Sequence, residues 1–418
     1  MARYIITGGK KLEGTIRISG NKNSVLPCLA ACLLTEDEVT LTNVPSISDV
    51  AVFKSLLESL GSFVKEQEES ITVSTPKITT HRLDPELTTK LRGSVLMAGP
   101  LLARIGKVEL SHPGGDIIGK RAIDIHLNGF SKLGYSVKID DASYSITRQK
   151  KVTDLSLFLE VPSVTGTENL VLASVLGDHT VTLKNCAGEP HVVDLCNLLN
   201  EMGASITGIG SSTLCIKGVK KLHGATFRIG SDSTEVGTYI ALAAITKGNL
   251  TLKNVFGFDL DAILWPFKKM GIEIDTQGET LKISKSTLKA IPTLTTGFWP
   301  NFPTDLMSIM IVLSTQSKGV SLMRDWIYES RMFFADKLVS MGANITIADP
   351  HRVLVYGPTD LVGRNLESPD IRAGMALVLA ALVATGTSII NKADHIERGY
   401  TNVVENLKSL GAEIERVD

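Results

Sequence analysis

Val181-Thr182-Leu183-Lys184-Asn185, closed by Met202-Gly203, and Leu250-Thr251-Leu252-Lys253-Asn254, closed by Met270-Gly271, are one phrase written twice. Its first part alternates apolar and polar residues, the period of a half-buried strand. The stretch that follows has helical spacing, and the Leu/Met-Gly pair marks a helix end at which glycine takes a positive φ. The phrase returns at Val39-Thr40-Leu41-Thr42-Asn43 with Leu60-Gly61 and at Val108-Glu109-Leu110-Ser111 with Leu133-Gly134. It returns again at Val320-Ser321-Leu322 with Met341-Gly342, and at Ser388-Ile389-Ile390 with Leu410-Gly411. That makes six copies, about 70 residues apart.

Each copy also holds a segment that is apolar on nearly every face: residues 24–34, 93–103, 168–176, 235–245, 306–314 and 373–385. A helix without a polar face belongs in an interior, so each unit wraps strands and an outer helix around a buried helix. Units of this length are near self-contained, which argues against a solenoid and for two groups of three. The break falls near Phe227-Arg228-Ile229-Gly230, with a matching crossing near Ile18-Ser19-Gly20. The expected domains are residues 21–229, and 1–20 together with 230–418, with a ligand cleft between them.

The chain has 418 residues, 43% hydrophobic and only 5% aromatic, with 36 glycines and a formal net charge of −1. That balance provides no general field for nucleic acid or an anionic membrane, so any anion must be recognised locally. Cys28, Cys32, Cys186, Cys196 and Cys215 lack paired or metal-ligand spacing and read as free thiols in a reducing compartment. The N-terminus has no long apolar run of the secretory kind, and residues 373–385 are too few to span a bilayer. A cytoplasmic protein is expected. There is no GxxxxGK[ST] loop, and Gly208-Ile209-Gly210 lacks the third glycine of a dinucleotide fingerprint.

Chemistry-bearing residues gather at the starts of the buried segments: Lys22-Asn23, Arg92, Thr165-Gly166-Thr167, Ser233-Thr234, Thr304-Asp305 and Arg372. Helix N-termini carry unpaired N–H groups and the positive end of the dipole, which suits phosphate or carboxylate. Lys and Arg placed there repel the dipole, an arrangement that makes sense if an anionic ligand answers both. Arg121, Arg331 and Arg398 add further cations on the outer helices. One loop breaks the pattern: His112-Pro113-Gly114-Gly115-Asp116-Ile117-Ile118-Gly119-Lys120-Arg121 mixes three glycines and a proline with an acid and two bases. It reads as a mobile loop with chemistry in it.

Several of these motifs resemble those of one family: Ser19-Gly20-Asn21-Lys22-Asn23, Pro113-Gly114-Gly115-Asp116 to Arg121, Phe302-Pro303-Thr304-Asp305, Arg331, Asp370-Ile371-Arg372-Ala373-Gly374 and His395 to Gly399. They are similar to the MurA-type enolpyruvyl transferases, collinearly over essentially the whole chain. The resemblance implies an α/β fold of two inside-out α/β barrels, each of three βαβαββ-like units. It implies transfer of the enolpyruvyl group of phosphoenolpyruvate to the 3-hydroxyl of UDP-N-acetylglucosamine with release of phosphate, the first committed step toward peptidoglycan. Only small-molecule substrates are implied, with no metal or organic cofactor, nucleic acid, membrane or obligate protein partner.

Residue by residue, the resemblance assigns Lys22, Arg92, Arg121, Arg331, Arg372 and Arg398 to phosphoenolpyruvate. Asp305 is the base for the attacking hydroxyl, Asp116 the acid that protonates C3, and Lys22 and Arg398 complete the catalytic set. Asn23 and Asp305 fall to the sugar. Arg92, Arg121, Ala122, Ile123, Asp124, Ile125, Ser163, Val164, Thr165 and Ile327 lie around the nucleotide sugar. Many members have cysteine where this chain has Asp116, so insensitivity to fosfomycin, which alkylates that thiol, is implied. Ser233, His191 and Ser330 stand where arginine, glutamate and asparagine are common. The GNAGT-type segment of EPSP synthases is missing around Arg92-Gly93-Ser94. The rival readings are an enolpyruvyl transferase for another nucleotide or sugar-nucleotide acceptor and a non-catalytic binding paralogue.

Overall fold

The computed structural model describes residues 2–115 and 123–418. They form two compact units, residues 20–115 with 123–230, and residues 2–19 with 231–418. Each has its own apolar core.

One strand scheme recurs in five of the six sheets: three antiparallel strands, with a fourth added in parallel at one edge; the sixth keeps only the three antiparallel strands. In the unit of residues 20–115 and 123–230, Val39–Thr42 lies between antiparallel Ser70–Ser74 and parallel Thr226–Arg228. Thr180–Lys184 lies between Thr213–Lys217 and parallel Leu155–Phe158 in the same way. In the third sheet, Lys107–Ser111 pairs with Ser143–Arg148, and the parallel edge shrinks to the single bridge of Arg82 with Glu109. The pairing of Thr226–Arg228 with Val39–Thr42 joins the end of this unit to its beginning.

The other unit takes its N-terminal residues from the far end of the sequence. Arg3–Thr7 sits between Thr387–Asn391 and Glu413–Val417, antiparallel to both. Glu13–Arg17 is the parallel edge beside Asn249–Lys253. Gly319–Arg324 carries the third sheet, with Thr293–Thr295 parallel and Arg352–Gly357 antiparallel.

The six apolar segments become the buried helices Lys22–Ala31, Ala98–Ile105, Val164–Ser174, Ser233–Ile245, Met307–Thr315 and Ile371–Val383. Two of them are entered through 3-10 turns, Arg92–Met97 and Thr304–Leu306. Close approach needs small residues: a Cβ on Gly99 would lie 2.6 Å from Asn169 O, and Asn169 Oδ1 accepts from Gly99 N at 2.7 Å. The outer helices show one apolar face, as in Ser48–Ser59, which buries Val50, Phe53, Leu56 and Leu57.

Gly61, Gly134, Gly203, Gly271, Gly342 and Gly411 follow the outer helices with φ between 86° and 103°, as the Leu/Met-Gly signal requires. A second recurring device sits at the other end of the phrase. Asn43, Asn185 and Asn254 take left-handed φ of 58°, 55° and 64° directly after their strands. Each donates from Nδ2 to a carbonyl just beyond the parallel edge strand, at Ile229, Leu159 and Ile18 respectively (2.7–2.8 Å).

Candidate active site

In the unit of residues 2–19 and 231–418, the start of the helix Ile371–Val383 meets the turn Thr304–Leu306. Asp370 caps the helix, its Oδ1 accepting from Arg372 N at 2.8 Å and Ala373 N at 3.0 Å. Arg372 then reaches back to Asp305, Nε to Oδ2 at 3.0 Å. Arg331 Nη2 donates to the other oxygen of Asp305 at 3.1 Å, and its Nη1 lies 4.0 Å from Asp370 Oδ1. One carboxylate is thus gripped by two guanidiniums, each packed over an aromatic ring: Arg331 over Tyr328 at 5.3 Å and Arg372 over Tyr400 at 5.4 Å.

Both arginine side chains are almost wholly buried, while that of Asp305 is 28% exposed. Burial works against the charge of Arg372, but Asp305, then Tyr400 and Asp232, more than offset it and raise its pKa. The guanidinium atoms Arg331 Nε and Arg372 Nη1 are buried and find no acceptor among the described residues. Buried donors left this way cost stability unless something else answers them. Two cationic forks with donors in hand, beside a carboxylate, make a receptor for a small anion that carries a carboxylate or phosphate.

Arg398 caps the short helix Asp394–Glu397. The next residue, Gly399, presses on the helix start: a Cβ there would lie 2.7 Å from Ile371 Cγ2 and 3.8 Å from Arg372 Nη1. Tyr400 lies within hydrogen-bonding distance of Thr238, 3.0 Å from Oγ1, which ties this corner to the helix Ser233–Ile245. Ile327 is held by Asp325, whose Oδ1 accepts from Ile327 N (2.9 Å) and Tyr328 N (3.1 Å) and whose Oδ2 accepts from Thr304 Oγ1. Asp325, fully buried, therefore fixes the loop of Ile327 and the turn of Asp305 together.

In the unit of residues 20–115 and 123–230, Lys22 opens its helix and is nearly buried, with Nζ 2.6 Å from Asp49 Oδ2. Asn23 donates its backbone N–H to the capping Asn21 Oδ1 at 2.8 Å. Ile123, Asp124 and Ile125 form the entry to the helix Asp124–Lys132, and Ser163, Val164 and Thr165 the entry to Val164–Ser174. These two entries meet: a Cβ on Gly166 would lie 2.9 Å from Ile125 Cγ2, and His126 Nε2 is 3.2 Å from Thr165 Oγ1. Burial, and then the charge of Arg92, push His126 down to about 3, so it is a neutral brace between Thr165 and Asn169.

The helix starts differ from expectation in one respect. Asn21, Ser163, Asp232 and Asp370 place side-chain oxygens on first-turn N–H groups, so four of the six termini have already spent donors on their own caps. Side-chain cations, more than bare amides, supply the anion receptor. Asp116, Arg121 and Ala122 lie outside the described residues. Sequence reasoning missed Asp49, Asp325 and Tyr400. The partners that mark them lie far off in the chain, Thr304 21 residues from Asp325 and Thr238 162 from Tyr400, with Lys22 likewise distant from Asp49, and no local spacing announces them.

The chain belongs to the family described as EPSP synthase (3-phosphoshikimate 1-carboxyvinyltransferase), which it matches over residues 6–407. It is 45% identical over 424 residues to the UDP-N-acetylglucosamine 1-carboxyvinyltransferase of Treponema denticola, covering 99% of each chain. It is 46% identical over 424 residues to the protein of the same name from Bradyrhizobium diazoefficiens, covering 99% of this chain and 98% of that one. In fold it resembles the crystal structure of the enolpyruvyl transferase NikO from Streptomyces tendae, with a TM-score of 0.89 at 24% identity, over 100% of this chain and 99% of the other. An EPSP synthase from Acinetobacter baumannii gives a TM-score of 0.79 at 16% identity, with all of both chains covered.

Proposed function

We propose that this chain is a UDP-N-acetylglucosamine 1-carboxyvinyltransferase (EC 2.5.1.7), moving the enolpyruvyl group of phosphoenolpyruvate to the sugar 3-hydroxyl in the first committed step of peptidoglycan synthesis. The observation that carries this reading is identity near 45% to enzymes of that name over almost the full length of both partners. The site chemistry agrees with it. Phosphoenolpyruvate is a compact polyanion, and the unanswered donors of Arg331 and Arg372 suit its carboxylate, with Lys22, Arg92, Arg121 and Arg398 taking phosphate and carboxylate oxygens.

In this mechanism the substrate displaces Asp305 from its two arginines, which frees a carboxylate oxygen to accept the proton of the 3-hydroxyl. The oxygen bonds to C2 while Asp116 gives a proton to C3. Loss of a proton from C3 and of phosphate from C2 then restores the double bond. Lys22 and Arg398 stabilise the charge on the departing phosphate. Ile123, Asp124, Ile125, Ser163, Val164, Thr165 and Ile327 hold the nucleotide, and Asn23 the sugar. No helix among the described residues is long and apolar enough to cross a membrane. A cytoplasmic location fits a chain that consumes a nucleotide sugar and keeps four of its five cysteines buried and free.

The test is phosphate release from phosphoenolpyruvate with UDP-N-acetylglucosamine and with other nucleotide sugars. Release with UDP-N-acetylglucosamine is expected, falling roughly a hundred- to ten-thousandfold in Asp305→Ala. Turnover only with other acceptors would transfer the reading to a different enolpyruvyl transferase. Binding without turnover would end it.

A further inference from the structure

Away from the residues assigned to the reaction, the unit of residues 20–115 and 123–230 has a basic cavity of about 780 Å³. Its floor is the C-terminal ends of three buried helices, at Leu34, Ala103 and Leu176. Three basic side chains close those ends. Arg104 Nη1 donates to Leu33 O (3.0 Å) and Thr35 O (3.2 Å), and Arg148 Nη2 to Leu102 O (2.7 Å) and Ala103 O (3.1 Å). His179 Nε2 lies 3.1 Å from Ser174 O.

Lys150, Lys151, Lys220 and Lys221 also line the cavity. Lys151 pairs with Asp178 at 3.5 Å, and Arg104 with Glu36 at 3.6 Å. Lys150, Lys220 and Lys221 have no ion pair among the described residues. Helix dipoles account for part of the charge, about half a unit of negative charge for each of the three C-termini, which leaves a surplus of about two to three positive charges around the cavity. The fold does not demand this. In the other unit the corresponding helix ends are met by neutral groups: Gly9 N on Leu382 O, Thr246 Oγ1 on Leu242 O and Ser317 Oγ on Leu313 O.

We propose that this cavity binds a small metabolite carrying two or more phosphate groups, at a site separate from the one that handles phosphoenolpyruvate. Three unpaired ammonium groups over a partly buried Arg104 recognise charge without a fixed stereochemistry, which suits an oligophosphate chain. The half-buried Leu176 in the lining offers a small apolar wall to whatever the chain is attached to.

The experiment is calorimetric titration of the whole protein with inorganic tripolyphosphate and with ATP, repeated on Lys150→Gln/Lys220→Gln/Lys221→Gln and on Lys22→Gln. The expected result is one site per chain, weakened at least tenfold in the triple variant and unchanged within twofold in Lys22→Gln. Equal affinity for the two probes would assign recognition to the phosphates alone, and tighter ATP binding would add the apolar wall; either supports the site. An absence of binding, or binding kept in the triple variant and lost in Lys22→Gln, would overturn it. The three lysines are exposed and outside the proposed reaction, so turnover in the triple variant, measured without added oligophosphate, reports that it is folded.

Discussion

In the proposed mechanism Asp305 is a base, yet both of its oxygens are taken. With Arg331 on one and Arg372 on the other, it is poorly placed to accept a proton until an anion competes for the guanidiniums. Donor binding then has to precede deprotonation of the acceptor. Asp116 poses the complementary problem, since an acid must hold its proton where an ordinary aspartate, near 3.9, has lost it. Burial beside a bound polyanion would supply the shift. Turnover is therefore expected to fall as pH rises through the elevated value, and Asp116→Cys, with a thiol normally protonated to about 8.5, to flatten that fall. Matching pH–rate profiles for the two proteins would sink this assignment. Fosfomycin at concentrations that inactivate Asp116→Cys should leave the parent active, with intact-mass spectra showing no adduct. At this scale the charged residues of the site were legible as types and positions. The partners that hold them were not: nothing in the sequence near Asp49 or Asp325 marks them, because what buries them comes from distant segments.

The repeated phrase carries more than its strand and helix. The glycines were readable because only one residue type fits a left-handed position of this kind without cost. The asparagines that end the strands were visible as a repetition, yet their purpose appears only when the parallel edge strand is in place to receive the side chain. Asn254→Ala removes a buried hydrogen bond and puts alanine at a φ of 64°. The expected cost is about 2 kcal/mol, from the orphaned Ile18 carbonyl and the left-handed backbone together. Denaturant unfolding would measure it, and a change under about 0.5 kcal/mol would show that the side chain is not a latch. Asn254→Gly should recover the backbone part only. The 3-10 entries at Arg92 and Thr304 escaped sequence reading, since the apolar run behind each looks like any other helix.

Across the molecule, the buried acids set the response to pH. Burial, and then Asp232 beside it, raise Glu235 from 4.5 to about 8. Burial raises Asp194 from 3.8 to about 6, and burial followed by Glu189 raises Glu168. Such a group keeps its proton in the folded chain where the unfolded chain has released it, so stability is lost as pH climbs from the unfolded value to the folded one. His126, held low, acts in the opposite sense and penalises the fold below its ordinary value of 6.5. Burial holds His81 and His179 low as well, so below about 6.5 the histidines oppose the acids; above it Glu235 and Glu168 remain, and Tm is expected to fall between about pH 6.5 and about pH 8. Glu235→Gln should flatten the upper part of that fall; a Tm that rises over the range would contradict the protonation states described. The sixfold repeat and the two-core plan were legible because apolar periodicity records burial directly. Charge regulation was not, because it depends on which acids meet in space.

The pairing of Arg3–Thr7 with both Thr387–Asn391 and Glu413–Val417 also imposes an order of birth on the molecule. As the chain leaves the ribosome, residues 20–230 can close their own ring once Thr226–Arg228 has emerged to meet Val39–Thr42. Arg3–Thr7 has no such partner and must wait, edges unsatisfied, until Thr387–Asn391 and Glu413–Val417 have been translated. The unit holding Asp305 and its arginines is thus the last to be assembled, and a chain cut short near its end would carry one finished barrel and an unpaired N-terminal strand.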